Sequence, residues 1–250
     1  MIPLELALGF GIGLSLGLLG GGGSLLAVPA LVYLVGQTPQ AAVTTSLAIV
    51  GANSMVGAMF HSSHGKLDWK VALVFGSSGM LVSYLSANLS KQISPELLLV
   101  IFALLMVGIG LMLLFRRVRE EDAAYQAKPL WLVIASGAGA GLLTGILGVG
   151  GGFLVLPALV MLVGLPARIA VGTSLIIIAM NSIAGFLGHL TNGSTDWTVT
   201  LVFTSTGLVG TFIGMRLSRL LSSSRLQKVF AVFVITLAIF LLADNFPKLV

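Results

Sequence analysis

The chain is one segment written twice, and that duplication limits its architecture more than any other feature. Leu19-Gly20-Gly21-Gly22-Gly23-Ser24-Leu25-Leu26-Ala27-Val28-Pro29-Ala30-Leu31 aligns with Leu147-Gly148-Val149-Gly150-Gly151-Gly152-Phe153-Leu154-Val155-Leu156-Pro157-Ala158-Leu159. The offset, 157 − 29 = 128 residues, then continues without a gap. Thr45-Ser46-Leu47 falls on Thr173-Ser174-Leu175, Asn53-Ser54 on Asn181-Ser182, His61 on His189, and Asp68-Trp69 on Asp196-Trp197. Apolar segments align leucine with leucine by chance, but they do not align His, Asn-Ser, Pro and Asp-Trp at one constant spacing. Two copies of one unit are therefore expected to fold alike.

Composition says where that unit sits. Of the 250 residues, 57% are hydrophobic and only 8% charged, against about 25% charged in an ordinary soluble domain. Mean hydropathy is +1.09, and apolar runs of spanning length recur with charges confined to the gaps between them. This is the pattern of a polytopic helical membrane protein. The absence of cysteine excludes disulfides and thiolate metal sites. A net charge of +5 does not indicate nucleic acid, because the basic residues flank spans, where they orient the chain in the bilayer. The N-terminus, Met1-Ile2-Pro3-Leu4-Glu5, lacks the basic region of a signal peptide, so the first apolar stretch is expected to remain.

Each half divides the same way. Residues 4–35 are apolar but interrupted by Gly20–Gly23. As one helix they would reach about 48 Å at 1.5 Å per residue, well beyond the ~30 Å hydrocarbon core. Two half-helices are expected instead, near 4–19 and 24–35, followed by spans near 39–61, 69–91 and 95–115. The second half repeats this near 130–147, 152–164, 167–189, 197–217 and 223–243. The expected organisation is a first repeat over 1–115, a polar linker over 116–129 and a second repeat over 130–250.

Charge bias chooses the topology. If each broken segment crossed once, the basic residues would divide seven to six, which orients nothing. If each dips in and returns, eleven of the thirteen collect on one side, with only Lys91 and Lys248 opposite. The positive-inside rule selects the second arrangement. The fold expected is thus an all-α polytopic membrane protein of two inverted repeats, each a broken re-entrant helix hairpin plus three transmembrane helices. The linker is cytoplasmic and both termini lie outside the cell (inner) membrane.

Transporters built this way hold substrate near the midplane, where discontinuous helices turn their ends toward it. The candidate binding residues are the hairpin tips, Gly21, Gly22, Gly23 and Ser24 in one half and Gly150, Gly151 and Gly152 in the other. Glycine permits positive φ and close approach of a ligand to backbone N–H groups, and second half-helices beginning at Ser24 and Gly152 would favour an anion there. Gly9, Gly13 and Gly17, with Gly137, Gly141 and Gly145, read instead as tight helix contacts. Thr45, Ser46 and Asn53, matched by Thr173, Ser174 and Asn181, join the candidate site. These groups, with Thr44, Ser54 and Ser182 beside them, either hydrogen-bond an oxyanion or join helices. Ser77, Ser78, Ser205 and Thr206 form a weaker set. His61 and His189 either handle protons or substrate or serve as interfacial hydrogen-bonding residues. Asp68-Trp69 and Asp196-Trp197 read as helix starts, Asp capping and Trp anchoring at the interface, and Glu96 as a first-turn acid.

No Asp, Glu, Lys or Arg lies clearly within a span, whereas cation carriers and proton pumps ordinarily place a carboxylate there. Backbone N–H groups, hydroxyls and amides suit a small oxyanion better than a metal cation. No P-loop triplet is present, so transport is expected to be secondary or passive, without a cofactor. The partners expected are a small anion and the lipid bilayer, with a homo-oligomer possible. An anion channel on the same scaffold remains an alternative, as does an intramembrane enzyme or scaffold, although no nucleophile–base pair or metal cluster can be named for it.

The duplicated Leu-Gly-x-Gly-Gly-Gly-x-Leu-x-x-Pro-Ala-Leu pattern, clearest at Leu147–Leu159, resembles the TauE/SafE sulfite exporter family, supported by Thr-Ser-Leu and the later Asp-Trp. The resemblance covers nearly the whole chain. It implies movement of sulfur-containing anions such as sulfite or small organosulfonates, often outward. An inside-negative potential favours anion exit by about 2.3 kcal/mol per charge per 100 mV. The first copy departs in having Gly21 for Val149 and Ser24 for Gly152.

Overall fold

The structure, a computed structural model, describes residues 2–19, 22–64, 67–90, 92–115, 128–148, 150–190, 196–218 and 223–248. Most of the linker, 116–127, therefore lies outside the described residues, as do Gly20 and Gly21. The helices are α1 (Ile2–Leu19), α2 (Ala27–Tyr33), α3 (Pro39–His64), α4 (Trp69–Ser90), α5 (Pro95–Phe115), α6 (Leu130–Leu147), α7 (Gly152–Ala158), α8 (Ala167–Leu190), α9 (Trp197–Ser218) and α10 (Ser223–Asn245). No strand occurs among the described residues. Seven of these helices are long and apolar enough to cross a membrane.

Helix starts follow local chemistry. The Asp68 carboxylate accepts the Val71 N–H at 3.0 Å, and Asp196 accepts those of Thr198 and Val199 at 3.0 and 3.1 Å. Each Asp satisfies donors that a first helical turn leaves unpaired. The adjacent Trp69 and Trp197 are both 56% exposed, as suits rings resting at the membrane interface. Ser94 caps α5 by accepting the Leu97 N–H at 3.3 Å, and Glu96 lies in that helix's first turn.

The broken segments fall close to their expected bounds but differ from expectation in two respects, the length of the first arms and the start of the first return arm. Their first arms are not half-helices: α1 and α6 have 18 residues each, about 27 Å at 1.5 Å per residue. The return arms are short. In the first half, the chain leaves the glycine run as a 3-10 turn, Gly22–Leu26, and the α-helix starts at Ala27 rather than Ser24. The fold back is tight, since a Cβ on Gly23 would overlap the backbone of Ser15 and Leu16 in α1. In the second half α7 does start at Gly152, then opens into a π turn, Leu159–Val163, just beyond Pro157, a residue with no N–H to donate.

The first arms pack as the glycine spacing predicts. Cβ atoms on Gly9, Gly13 and Gly17 would run into Phe203, Gly207 and Thr211 of α9. Those on Gly137, Gly141 and Gly145 would run into Phe75, Gly79 and Ser83 of α4. Every contact in the second set is the first shifted by 128. Close backbone approach of this kind drives helix association in lipid, where the hydrophobic effect offers no preference. The first helix of each half is therefore seated on the other half.

Helix directions follow from these contacts. Residue numbers rise together along α1 and α9, and along α6 and α4. They also rise together along α3 and α9 (Asn53 by Gly207, Phe60 by Phe212). So α1 and α3 point the same way, and the chain between them doubles back. Along α3 and α8 the numbers run oppositely: Leu47 faces Gly185, Gly51 faces Ser182 and Gly57 faces Leu175. Helices α5 and α10 are likewise antiparallel, Gly110 meeting Ile235 while Leu104 and Leu242 line one groove. The return arm α2 is tied to α10 through Tyr33, whose hydroxyl donates to Asp244 at 2.8 Å and accepts from Asn245 at 2.6 Å. A continuous buried cluster, including Leu25, Leu31, Leu47, Phe75, Phe102, Val155, Phe203 and Val234, fills the space between.

Candidate functional site

The antiparallel crossing of α3 and α8 sets the level of the site. With Gly51 opposite Ser182 and Gly57 opposite Leu175, Asn53 and Ser54 lie within about one helical turn of Asn181 and Ser182. This layer sits near the middle of both helices. All four side chains are fully buried, at 0% exposure. Neither carboxamide nor either hydroxyl has a hydrogen-bond partner among the described residues.

Each asparagine rests on a glycine of a neighbouring helix. A Cβ on Gly79 would come within 2.5 Å of Asn181 Oδ1, and one on Gly207 would overlap the Asn53 amide. Any larger residue at Gly79 or Gly207 would displace the amide. The serines face elsewhere, about 100° around the helix. Ser182 Oγ would lie 2.7 Å from a Cβ on Gly150, at the tip of the second hairpin.

That tip carries three left-handed residues, Gly148, Gly150 and Gly151, with φ of 69°, 65° and 68°. L-residues with a side chain pay about 1–2 kcal/mol for this conformation. It is also hemmed in by α3: Cβ atoms on Gly148 and Gly150 would strike Val43 and Val50, and Ser46 donates its hydroxyl to the Gly148 carbonyl. Gly152 begins α7 and is buried. The first tip is built differently. Gly22 and Gly23 match Gly150 and Gly151 but do not take positive φ, and Ser24 is fully buried. The tips nonetheless adjoin, because the 3-10 turn and α7 are in contact.

The other candidates separate from this layer. Thr45 is buried with no partner for its hydroxyl among the described residues, but lies eight residues before Asn53, about 12 Å along α3. Its counterpart Thr173 accepts the Asp68 N–H at 3.1 Å, joining α8 to the start of α4. Ser174 donates to Val171 O of its own helix at 2.8 Å. His189 is 4% exposed, with Nδ1 2.9 Å from Gly185 O. The His61 side chain lies outside the described residues, as does Gly21. Ser77, Ser78, Ser205 and Thr206 bond carbonyls of their own helices and so serve α4 and α9 locally. Ser54 and Ser182, which the sequence set beside the candidate residues rather than among them, complete the layer. Their signal was present in the repeated Asn-Ser pair.

A buried polar group left unpaired costs about 1–3 kcal/mol, and polar residues inside membranes mark pathways and sites. Here that cost falls on both halves at one depth. Among the described residues, no three His, Asp or Glu side chains converge to hold a metal ion.

These features define a polytopic helical membrane protein with a neutral polar layer buried at mid-span. The chain belongs to the TauE/SafE sulfite exporter family: the family profile "Sulfite exporter TauE/SafE" matches residues 5–241. A "Probable membrane transporter protein" of Xylella fastidiosa (strain 9a5c) is 34% identical over 245 residues, 96% of this chain and 94% of that protein. "Probable membrane transporter protein YunE" of Bacillus subtilis (strain 168) is 27% identical, covering 87% and 89%. "Probable membrane transporter protein YfcA" of Escherichia coli (strain K12) is 29% identical, covering 84% and 76%. No solved structure matches. The chain is a membrane transporter.

Proposed function

We propose that this transporter is a secondary carrier that exports small sulfur-containing oxyanions, sulfite or organosulfonates, across the cell membrane. The observation that carries the reading is the twinned layer of buried, unpaired hydroxyls and carboxamides at the α3–α8 crossing. Hydroxyls and amides are the neutral groups that replace an oxyanion's hydration shell. The glycine tip beside Ser182 brings the backbone of a second element to the same place. The antiparallel α3–α8 pair, and first helices exchanged between halves, support two inverted repeats over 1–115 and 130–250. With the 116–129 linker cytoplasmic, the termini lie outside. Full burial of the polar layer favours a carrier, which occludes its substrate, over an open anion channel.

Binding to the purified protein tests the reading. Sulfite, methanesulfonate, sulfate and chloride are titrated by thermal shift and calorimetry, first on the natural chain and then on Gly150→Ala. A methyl group at Gly150 meets Val50 and Ser182 in a backbone conformation that disfavours it by about 1–2 kcal/mol. Selective binding of a sulfur oxyanion, weakened at least tenfold in Gly150→Ala, is expected. Equal affinity in the two proteins removes the tip from the site. Failure of every sulfur anion to bind removes the substrate class. Saturating uptake with counterflow in vesicles is the carrier's signature, and linear flux without counterflow would establish a channel.

A further inference from the structure

We infer that the anion this site accepts is monovalent: hydrogen sulfite or a sulfonate, and not a dianion. The inference rests on the oxyanion reading above and concerns the charge state of the ligand. Asn53, Ser54, Asn181 and Ser182 are all uncharged and fully buried, and their partners across the packing, Val50, Gly79, Gly150 and Gly207, carry no charge.

Ionisable groups on these helices and their neighbours stand apart from the layer. His189 is eight residues beyond Asn181, about 12 Å along α8 at 1.5 Å per residue, and His61 is as far beyond Asn53 along α3. Asp68, just before α4, and Lys70 on it precede Gly79 by eleven and nine residues, while Tyr84 follows it by five and is 46% exposed. On α9, Arg216 follows Gly207 by nine residues, and on α1, Glu5 precedes Gly13 by eight. Among the described residues, no cationic side chain adjoins the four polar ones.

Desolvation decides between charge states. The energy of moving an ion from water to a medium of low dielectric grows with the square of its charge, and buried charges persist only where paired. Doubling the charge therefore raises the desolvation term about fourfold, while the site supplies only neutral donors. The donor–acceptor balance points the same way. Each serine hydroxyl and each carboxamide both donates and accepts. A dianion with only acceptor oxygens would face the asparagine carbonyl oxygens unfavourably, whereas a protonated oxyanion can donate its own O–H to one of them. A sulfonate, lacking that proton, still meets the charge limit.

Calorimetry across pH tests this on the natural protein. Methanesulfonate keeps one negative charge from mildly acid to mildly alkaline solution, while sulfite loses its remaining proton near neutrality. Methanesulfonate affinity is expected to stay flat, which also reports any titration of the protein itself. Affinity for total sulfite, corrected by that control, should weaken by about tenfold per pH unit above the anion's second pKa. Sulfate and thiosulfate should not compete with methanesulfonate. Sulfite affinity that holds or rises with pH, or sulfate competing as well as hydrogen sulfite, would overturn the monovalent rule while leaving oxyanion transport standing. No binding by any sulfur anion at any pH overturns the transport reading on which it rests.

Discussion

Replacing Gly13 or Gly141 with alanine adds one methyl group at the seam joining the halves. At Gly13 that methyl carbon would lie 2.6 Å from Gly207 Cα and carbonyl C, and at Gly141 2.7 Å from Gly79 Cα. Ordinary carbon contacts are about 3.5–4.0 Å, so the paired helices must separate by roughly 1 Å. The obstacle is backbone, so no side chain can rotate away. A radial gap of about 0.5–1 Å forfeits a quarter to a half of the dispersion well of each contact along the seam. Overpacking usually costs about 1–3 kcal/mol, and here we expect the upper end, about 3 kcal/mol. For a chain of this size that lowers the unfolding midpoint by roughly 6–12 °C. The controls are Gly11 and Gly139, also repeat partners, where an added Cβ meets nothing within 4 Å. Alanine there should leave the midpoint unchanged or raise it, since alanine is up to about 1 kcal/mol better than glycine in a helix. Tryptophan fluorescence during heating of the detergent-solubilised protein reads all four variants. Equal midpoints for Gly13→Ala and Gly11→Ala would refute the close-packed seam.

Two further outcomes can be checked directly. Asp196→Ala removes the acceptor for two first-turn N–H groups of α9, and should lower stability by about 1 kcal/mol without changing anion affinity; unchanged stability would mean the cap is dispensable in the bilayer. Because the chain has no cysteine, single cysteines report sidedness cleanly. Gln92→Cys should react with an impermeant maleimide on intact cells and Lys128→Cys only after lysis, and the reverse pattern would turn the protein over.

Much of this arrangement can be read from residues alone because the 128-residue repeat checks each inference twice. Spans from Pro39, Trp69, Pro95, Leu130 and Trp197 begin where Pro or Asp-Trp marks them, and the glycine spacing on α1 and α6 identifies their contact faces. The identity of the partner is less visible. In lipid all faces are apolar, so no amphipathic stripe indicates that α1 belongs against α9. Gly207, Gly210 and Gly214 hint at it only once α9 is seen to carry a matching small face. The helix start expected at Ser24 is instead a 3-10 turn over Gly22–Leu26, with the α-helix from Ala27, because equal glycine content does not dictate equal φ. Among the polar candidates, residue type could not separate Asn53 and Asn181, which have no partner among the described residues, from Thr173 and Ser46, which bond Asp68 N–H and Gly148 O. Pairing is a property of neighbours that the one-dimensional pattern does not contain.

The exchange of first helices also constrains how the molecule is made. During synthesis α1 enters the bilayer long before α9 exists, so its glycine face must spend that interval against lipid or an insertion chaperone. The final docking of α1 closes a loop that encloses nearly the whole polypeptide. Either half expressed alone would present two raw surfaces, one on its first helix and one on its fourth, each shaped for the missing half.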